Sequence, residues 1–402
     1  MQELWTNAID RILDPAQTPL GSMDSLIWHQ AEMMILHRAQ QKPSKESLAK
    51  AFAILERLAQ EAVNKSLENT TSDPPVKTMH IYLVHAILKS WNQLFRQKLD
   101  NTRPSTICKR MEDCLEKSKG RLFEPNIATY TIILDGATHC PDPKERVAFT
   151  ESLLHRLLLE CDEKPELRPT VVTFGTVIHA LAKSGSPALA KKAEGWLRRL
   201  QQLHDAGWPE VAPNTVVYTQ VIRGWASVGQ AERAEALLQE MYRDSVLHGN
   251  EKVLPSLWTF NTVLTAWSKS NDPQCVSHAE TLLHEMVEFS KDKKGPIQLT
   301  PDMISYNCML STIARRRKHP DALEKAEFWM EALLKFSKTA KTKKNAVPTR
   351  FTYNVLFNII AATDIPNKAE RAQYWLDKCE DRKLKKEKSL VQRIKDFEST
   401  AT

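Results

Sequence analysis

Residue types able to make or break bonds are scattered along this chain of 402 residues without a shared spacing. Cys108 and Cys114 lie six apart and His80 and His85 five apart; neither is the ligand spacing of a zinc site, and helix packing accounts for both. No glycine-rich phosphate loop occurs. What recurs is the chemistry of recognition. Thr131, Gly175, Thr219, Asn261, Asn307 and Asn354 form a series of amides and hydroxyls, with one glycine, stepping along the chain by 42 to 47 residues. Cations stand at Lys183, Lys269 and Arg315 in the same frame. Such groups hydrogen-bond and neutralise charge, so they hold a ligand rather than transform it.

The frame is a repeat. "EPNIATYTIILDGA", "RPTVVTFGTVIHALA", "APNTVVYTQVIRGWA", "LPSLWTFNTVLTAWS", "TPDMISYNCMLSTIA" and "VPTRFTYNVLFNIIA" share a proline, then an aromatic, then an apolar pair. Their prolines are Pro125, Pro169, Pro213, Pro255, Pro301 and Pro348, spaced 44, 44, 42, 46 and 47. A weaker copy opens at Pro75, 50 residues earlier. Periods of this length mark helical-repeat arrays, in which each unit buries its apolar face against its neighbours. Downstream in each unit lies a second amphipathic run, such as "AEALLQEM" or "AEFWMEAL", beyond breakers such as "KSGSP", "SVGQ" and "KSNDP". Each unit therefore reads as helix A, turn, helix B and a polar loop ending in proline.

Counting helix A from the second residue after each proline, columns four, seven, eight and eleven form one apolar stripe. The fourth column is Tyr130, Phe174, Tyr218, Phe260, Tyr306 and Tyr353, and it is expected to be packing. Columns two, five, nine and thirteen fall within about 80° of one another and line a different surface. The fifth holds the amides and hydroxyls; the thirteenth holds Lys183, Lys269 and Arg315, with His139, and with Lys89 in the weak copy, Ser227 and Ala362 being exceptions. A plain solvated face predicts polarity but not this sorting of amides and cations into separate columns; a ligand-reading groove predicts both.

Composition fits a helix-rich chain: 42% hydrophobic residues, 11 glycines and no apolar run of membrane-spanning length. Seven cysteines without metal-like spacing point to a reducing compartment and buried thiols. The net charge of +7 is uneven: residues 291–402 carry 24 Lys and Arg against 14 Asp and Glu, an excess of ten, which leaves −3 for the rest. The lysine-rich loop "KTAKTKK" reads equally as a solvated linker or as a phosphate contact.

"TYTIILDGA", "TFNTVLTAWSK" and "SYNCMLSTIA", introduced by proline and followed by the "AExLLxEM" signature, resemble pentatricopeptide repeats, a family of single-stranded RNA binders. The family's units are shorter, and the extra residues here follow helix B, in "VEFSKDKKGPIQLTPD", "YRDSVLHGNEKVLPS" and "LKFSKTAKTKKNAVPT". The resemblance implies an all-α, right-handed superhelical solenoid with six repeats over 127–381, opening near 127, 171, 215, 257, 303 and 350. A degenerate helical cap is expected over 1–76, a weak repeat over 77–126 and a basic cap or tail over 382–402.

If the family's mode transfers, one base is read per unit, by the fifth residue together with the residue after the next unit's proline. The pairs are Thr131 with Thr170, Gly175 with Asn214, Thr219 with Ser256, Asn261 with Asp302, and Asn307 with Thr349; Asn354 has no visible partner. Only Asn261 with Asp302 resembles a standard family combination, one associated with uridine. The second column, Ala128, Val172, Val216, Trp258, Ile304 and Phe351, would sandwich the bases, and Lys183, Lys269 and Arg315 would meet phosphates.

The resemblance implies no cofactor, metal or membrane partner and no chemistry of the chain's own. "LHGN" at 247–250 resembles part of a nuclease-like domain appended to some members, but it sits in an inter-repeat loop without the glycine-rich continuation. Protein-only ribonuclease P enzymes add an aspartate-rich metallonuclease domain, whereas "KLKKEKSLVQRIKDFEST" is basic and supplies no carboxylate cluster. Expected roles are organellar RNA processing, stability or translation, in a mitochondrion or plastid, with a separate RNA-processing enzyme as a further partner. The opening "MQELWTNAIDRILDP" carries Glu3, Asp10 and Asp14, unlike an acid-poor presequence, so the organelle rests on the resemblance. The alternative is a protein-binding scaffold of the tetratricopeptide type, distinguished by a period of about 34 residues and a different signature.

Overall fold

The computed structural model describes residues 125–291, 299–339, 348–365, 367–378 and 387–399, with single helical positions between 49 and 109. Most of the cap expected over 1–76, most of the weak repeat over 77–126 and the start of the tail at 382 lie outside them. The described secondary structure is helical: α1 (Ile127–Ala137), α2 (Pro143–Glu160), α3 (Val171–Ala182), α4 (Pro187–Asp205), α5 (Thr215–Ser227), α6 (Ala231–Leu247), α7 (Leu257–Lys269), α8 (Cys275–Lys291), α9 (Met303–Arg315), α10 (Ala322–Thr339), α11 (Arg350–Ala362), α12 (Lys368–Asp377) and α13 (Lys388–Ser399). Odd-numbered α1 to α11 are helices A, and even-numbered α2 to α12 are helices B. The chain is an all-α solenoid of stacked hairpins.

Each helix A starts for a local reason. A buried proline, Pro125, Pro169, Pro213, Pro255, Pro301 or Pro348, forces the chain to stay extended. The next residue, Asn126, Thr170, Asn214, Ser256, Asp302 or Thr349, is the N-cap. Five of these six caps form a capping box with the third helical residue, Thr129, Thr173, Thr259, Ser305 or Thr352. Satisfying the orphan N–H groups in this way is worth about 1 kcal/mol per helix.

The fourth, seventh and eighth columns are buried throughout, with Phe174 and Tyr353 at 0% exposure. Burying each such aromatic stabilises the fold by about 1.5–3 kcal/mol. In the eleventh column Ala137, Leu181, Trp267, Ile313 and Ile360 are buried, and Trp225 is half-buried. The extra residues of each unit follow helix B as expected: α2, α4, α6, α8 and α10 run 17 to 19 residues against 11 to 13 in the helices A. Short 3₁₀ turns at Pro165–Leu167, Pro209–Val211 and Glu251–Val253 then bury Leu167, Val211 and Val253.

The chain divides into two compact units, residues 1–184 with 195–212, and 185–194 with 213–402. In the first, α1 packs on α2 and α3, and α2 on α3. In the second, every contact is with a near neighbour: α5 on α6 and α7, α7 on α8 and α9, α9 on α10 and α11, and α11 on α12 and α13. Among the described residues no helix is long and apolar enough to cross a membrane.

Candidate nucleic-acid interface

The second helix A column supplies five of the eight large apolar side chains that are exposed among the described residues. Val172, Val216, Trp258, Ile304 and Phe351 are 61, 62, 63, 50 and 56% exposed, while Ala128 is also exposed. Contiguous exposed apolar surface is a feature of interaction sites.

The fifth column lies deeper, between one helix A and the next. Thr131 donates to the Ile127 carbonyl at 2.8 Å and meets the Thr173 hydroxyl at 3.0 Å. Thr219, 5% exposed, donates to the Thr215 carbonyl at 2.7 Å and meets Thr259 at 2.9 Å. Asn261, 7% exposed, accepts from the Ser305 hydroxyl at 2.7 Å and donates to Asp302 at 3.1 Å. The Asn307 carbonyl oxygen accepts from Thr352 at 2.9 Å. One rule covers all four: the fifth residue of a unit bonds the capping-box hydroxyl at the third position of the next. Gly175 has no side chain for such a bond and Val217, third in the following unit, no hydroxyl.

The paired residues expected after each proline are therefore helix caps as well. Asn214 accepts from the Val217 N–H at 3.0 Å, and Asp302 from Ser305 N–H at 3.0 Å. Thr170, Ser256 and Thr349 are engaged with Thr173, Thr259 and Thr352. Of the five expected pairs, Asn261 with Asp302 is joined by a direct side-chain bond; Thr131, Thr219 and Asn307 instead meet the residue three positions beyond their partner.

The weak copy makes a contact of the same kind: His85 Nε2 lies 2.8 Å from the Thr129 hydroxyl. Burial and the nearby Lys89 charge lower the His85 pKa and favour the neutral ring.

In the thirteenth column Lys183 donates to the Thr138 carbonyl at 3.2 Å and Arg315 to the Lys269 carbonyl at 3.0 Å. Both cations thus sit at the negative end of the preceding helix A, where the dipole favours them, and both remain exposed. A cleft of about 320 Å³ gathers the columns in one place: Trp258 and Ile304 from the second, Asn261 from the fifth, Arg223 and Thr265 from the ninth, Lys269 from the thirteenth. A larger cavity of about 680 Å³, among α6, α7 and α8, is lined by Tyr242, Phe289, His284 and Glu285 and includes none of these columns. The smaller cleft is the candidate site.

No nucleophile is prepared beside it: burial pushes the Cys308 thiol up despite its bond with Thr265, holding it protonated. His248 closes the C-terminus of α6, 3.3 Å from Asp244, with Gly249 at φ 70° turning the chain. Among the described residues no group of three or more His, Cys, Asp or Glu converges on a metal-sized site.

Sequence reading missed a second ladder, in which a helix B glutamate holds groups of the next hairpin. Glu194 accepts from the Trp225 indole at 2.9 Å and from Arg233 at 3.0 Å. Glu235 takes Trp267 at 2.8 Å and His278 at 3.2 Å. Glu280 takes Trp329 and Lys325, and Glu327 takes Trp375 at 2.9 Å and Arg371 at 2.7 Å. The signal was present in the cation that precedes Ala-Glu, in "KAE" at 192–194, "RAE" at 233–235, "HAE" at 278–280 and "KAE" at 325–327.

Residues 216–246 match the family model described as PPR repeat. The chain is similar to two Arabidopsis thaliana proteins. One is pentatricopeptide repeat-containing protein At5g25630, 26% identical over 192 residues, covering 48% of this chain and 28% of that protein. The other is pentatricopeptide repeat-containing protein At3g09650, chloroplastic, 23% identical over 165 residues, covering 41% of this chain and 18% of that protein. The matches thus span under a third of either relative. Among solved structures, the pentatricopeptide repeat protein PPR10 from maize aligns over 97% of this chain and 61% of its own at 15% identity and TM-score 0.36. An engineered protein aligns over 97% and 98% at 13% identity and TM-score 0.39.

Proposed function

We propose that this chain, whose residues 216–246 match the PPR repeat model, binds single-stranded RNA along its helix A columns and acts by binding rather than by catalysis. The observation that carries the reading is the open second column above half-buried amides, with Arg223 and Lys269 in the same cleft as Trp258 and Asn261. Bases stack on sequence-tolerant apolar platforms, and cations track the backbone. The reading extends to organellar RNA processing, stability or translation, in which a separate enzyme does the chemistry; one relative's name carries the word chloroplastic.

The test is binding of the purified chain to short single-stranded RNAs against DNA and duplex controls across salt, beside a variant with Lys183, Lys269 and Arg315 changed to Ala. Losing three phosphate contacts on a single strand should flatten the slope of log K against log salt by about 2. Equal, weak binding to all probes by the unaltered chain would defeat the proposal. A scaffold role is the second reading, supported by Phe328 and Tyr374, 58 and 52% exposed on α10 and α12; selective RNA binding unaffected by Phe328→Ala and Tyr374→Ala would count against that surface as part of the RNA path.

A further inference from the structure

The last helix A is completed by something other than a repeat. Thr131, Thr219, Asn261 and Asn307 each bond the capping-box hydroxyl of the unit that follows. Among the described residues no such hydroxyl meets Asn354; α13 packs on α11 and α12, and Arg393 takes that role. It donates from Nη1 to the Asn354 side-chain oxygen at 3.1 Å and to the Asn354 main-chain oxygen at 3.3 Å. From Nη2 it donates to the Asn358 side-chain oxygen at 2.7 Å. The sequence showed no partner for Asn354, and Arg393, from outside the repeat frame, is that partner.

The consequence is a change in hydrogen-bonding character. A guanidinium has five N–H groups and no acceptor; three are engaged here, leaving Nε–H and one Nη2–H. The Asn354 oxygen is taken by Arg393, which leaves its amide N–H groups. The edge therefore offers donors, beside the Phe351 ring, 56% exposed and one turn earlier on the same helix. Asn261 differs, because Asp302 puts a carboxylate beside its amide. Guanine presents two adjacent acceptors, O6 and N7, which fit an arginine fork; adenine puts an amino donor beside N7, cytosine flanks its N3 and O2 acceptors with an amino donor, and uracil sets an N–H between its two carbonyls.

We infer that Arg393 and Asn354, with Phe351 as the stacking surface, form a terminal subsite selective for guanine. This rests on the RNA-binding reading, and the experiment separates the two. Fluorescence anisotropy would compare an oligouridylate with the same oligomer carrying one guanine, one 7-deazaguanine or one adenine, for the unaltered chain, Arg393→Gln and Arg393→Lys. The expected result is about ten-fold tighter binding with guanine, lost with 7-deazaguanine and adenine, lost in both variants, and with all-uridine binding retained. Arg393→Gln weakening every oligomer alike would make Arg393 a phosphate contact and overturn the subsite. A drop in Tm with guanine preference intact would make it a packing cap and overturn it too. If the unaltered chain bound none of the oligomers, the RNA reading itself would fall, and this subsite with it.

Discussion

Asn261 and Thr219 occupy the same column, yet their neighbours leave them different things to offer. The Asn261 oxygen accepts from Ser305 and one of its N–H groups goes to Asp302, so its amide is pinned with its remaining N–H as an oriented donor. The Thr219 hydroxyl hydrogen is committed to the Thr215 carbonyl and its oxygen meets Thr259, so it presents no free donor. Ser305→Ala, which removes the pin while leaving both readers in place, is expected to reduce discrimination between uridine and cytidine several-fold while changing total affinity little; competition binding measures both. Trp258→Ala is expected to cost about 1–3 kcal/mol of RNA affinity with no change in Tm, because the ring is 63% exposed; a lower Tm would mean that the ring packs rather than stacks. The fifth column was legible as a column from residue type and spacing alone. What it offers a ligand was not, since that depends on a hydroxyl some 40 residues away.

At the scale of elements, proline and cap set where each helix A begins, and the apolar stripe sets which face is buried; both were legible because they are local and repeat. The glutamate ladder was not, because Glu and Trp in an amphipathic run read as ordinary surface and core until the neighbouring helix is placed. Glu194, 6% exposed, holds two groups of the next hairpin. Glu194→Ala strands the Trp225 N–H and releases Arg233, and should destabilise the chain by about 2 kcal/mol in urea unfolding. Glu194→Gln, which still accepts from the indole, should recover part of that loss; equal loss in the two variants would place the effect in packing instead. Arg393 was missed for the opposite reason: α13 lies outside the repeat frame, so no column pointed to it.

Over the whole molecule, near-neighbour stacking makes stability approximately a sum of hairpins and the interfaces between them, so ionisation of Glu327 carries into global stability. Glu327 gives the sign. Burial alone would raise its pKa, but hydrogen bonds from Arg371 and Trp375, with the Arg371 and Lys378 charges, outweigh burial and hold the carboxyl below its ordinary value. Glu327 in turn raises the Arg371 pKa. A carboxyl lowered on folding means that the unfolded chain binds more protons in acid, so stability rises with pH through that range. The Glu327 contribution is complete above the ordinary carboxylate pKa and is lost as the pH falls through the lowered one. Arg371→Ala should therefore destabilise the chain at pH 7 and flatten its stability profile between neutral and acid pH, read from urea midpoints taken across that range. A variant profile parallel to the original would show that Arg371 acts through packing and not through the Glu327 charge.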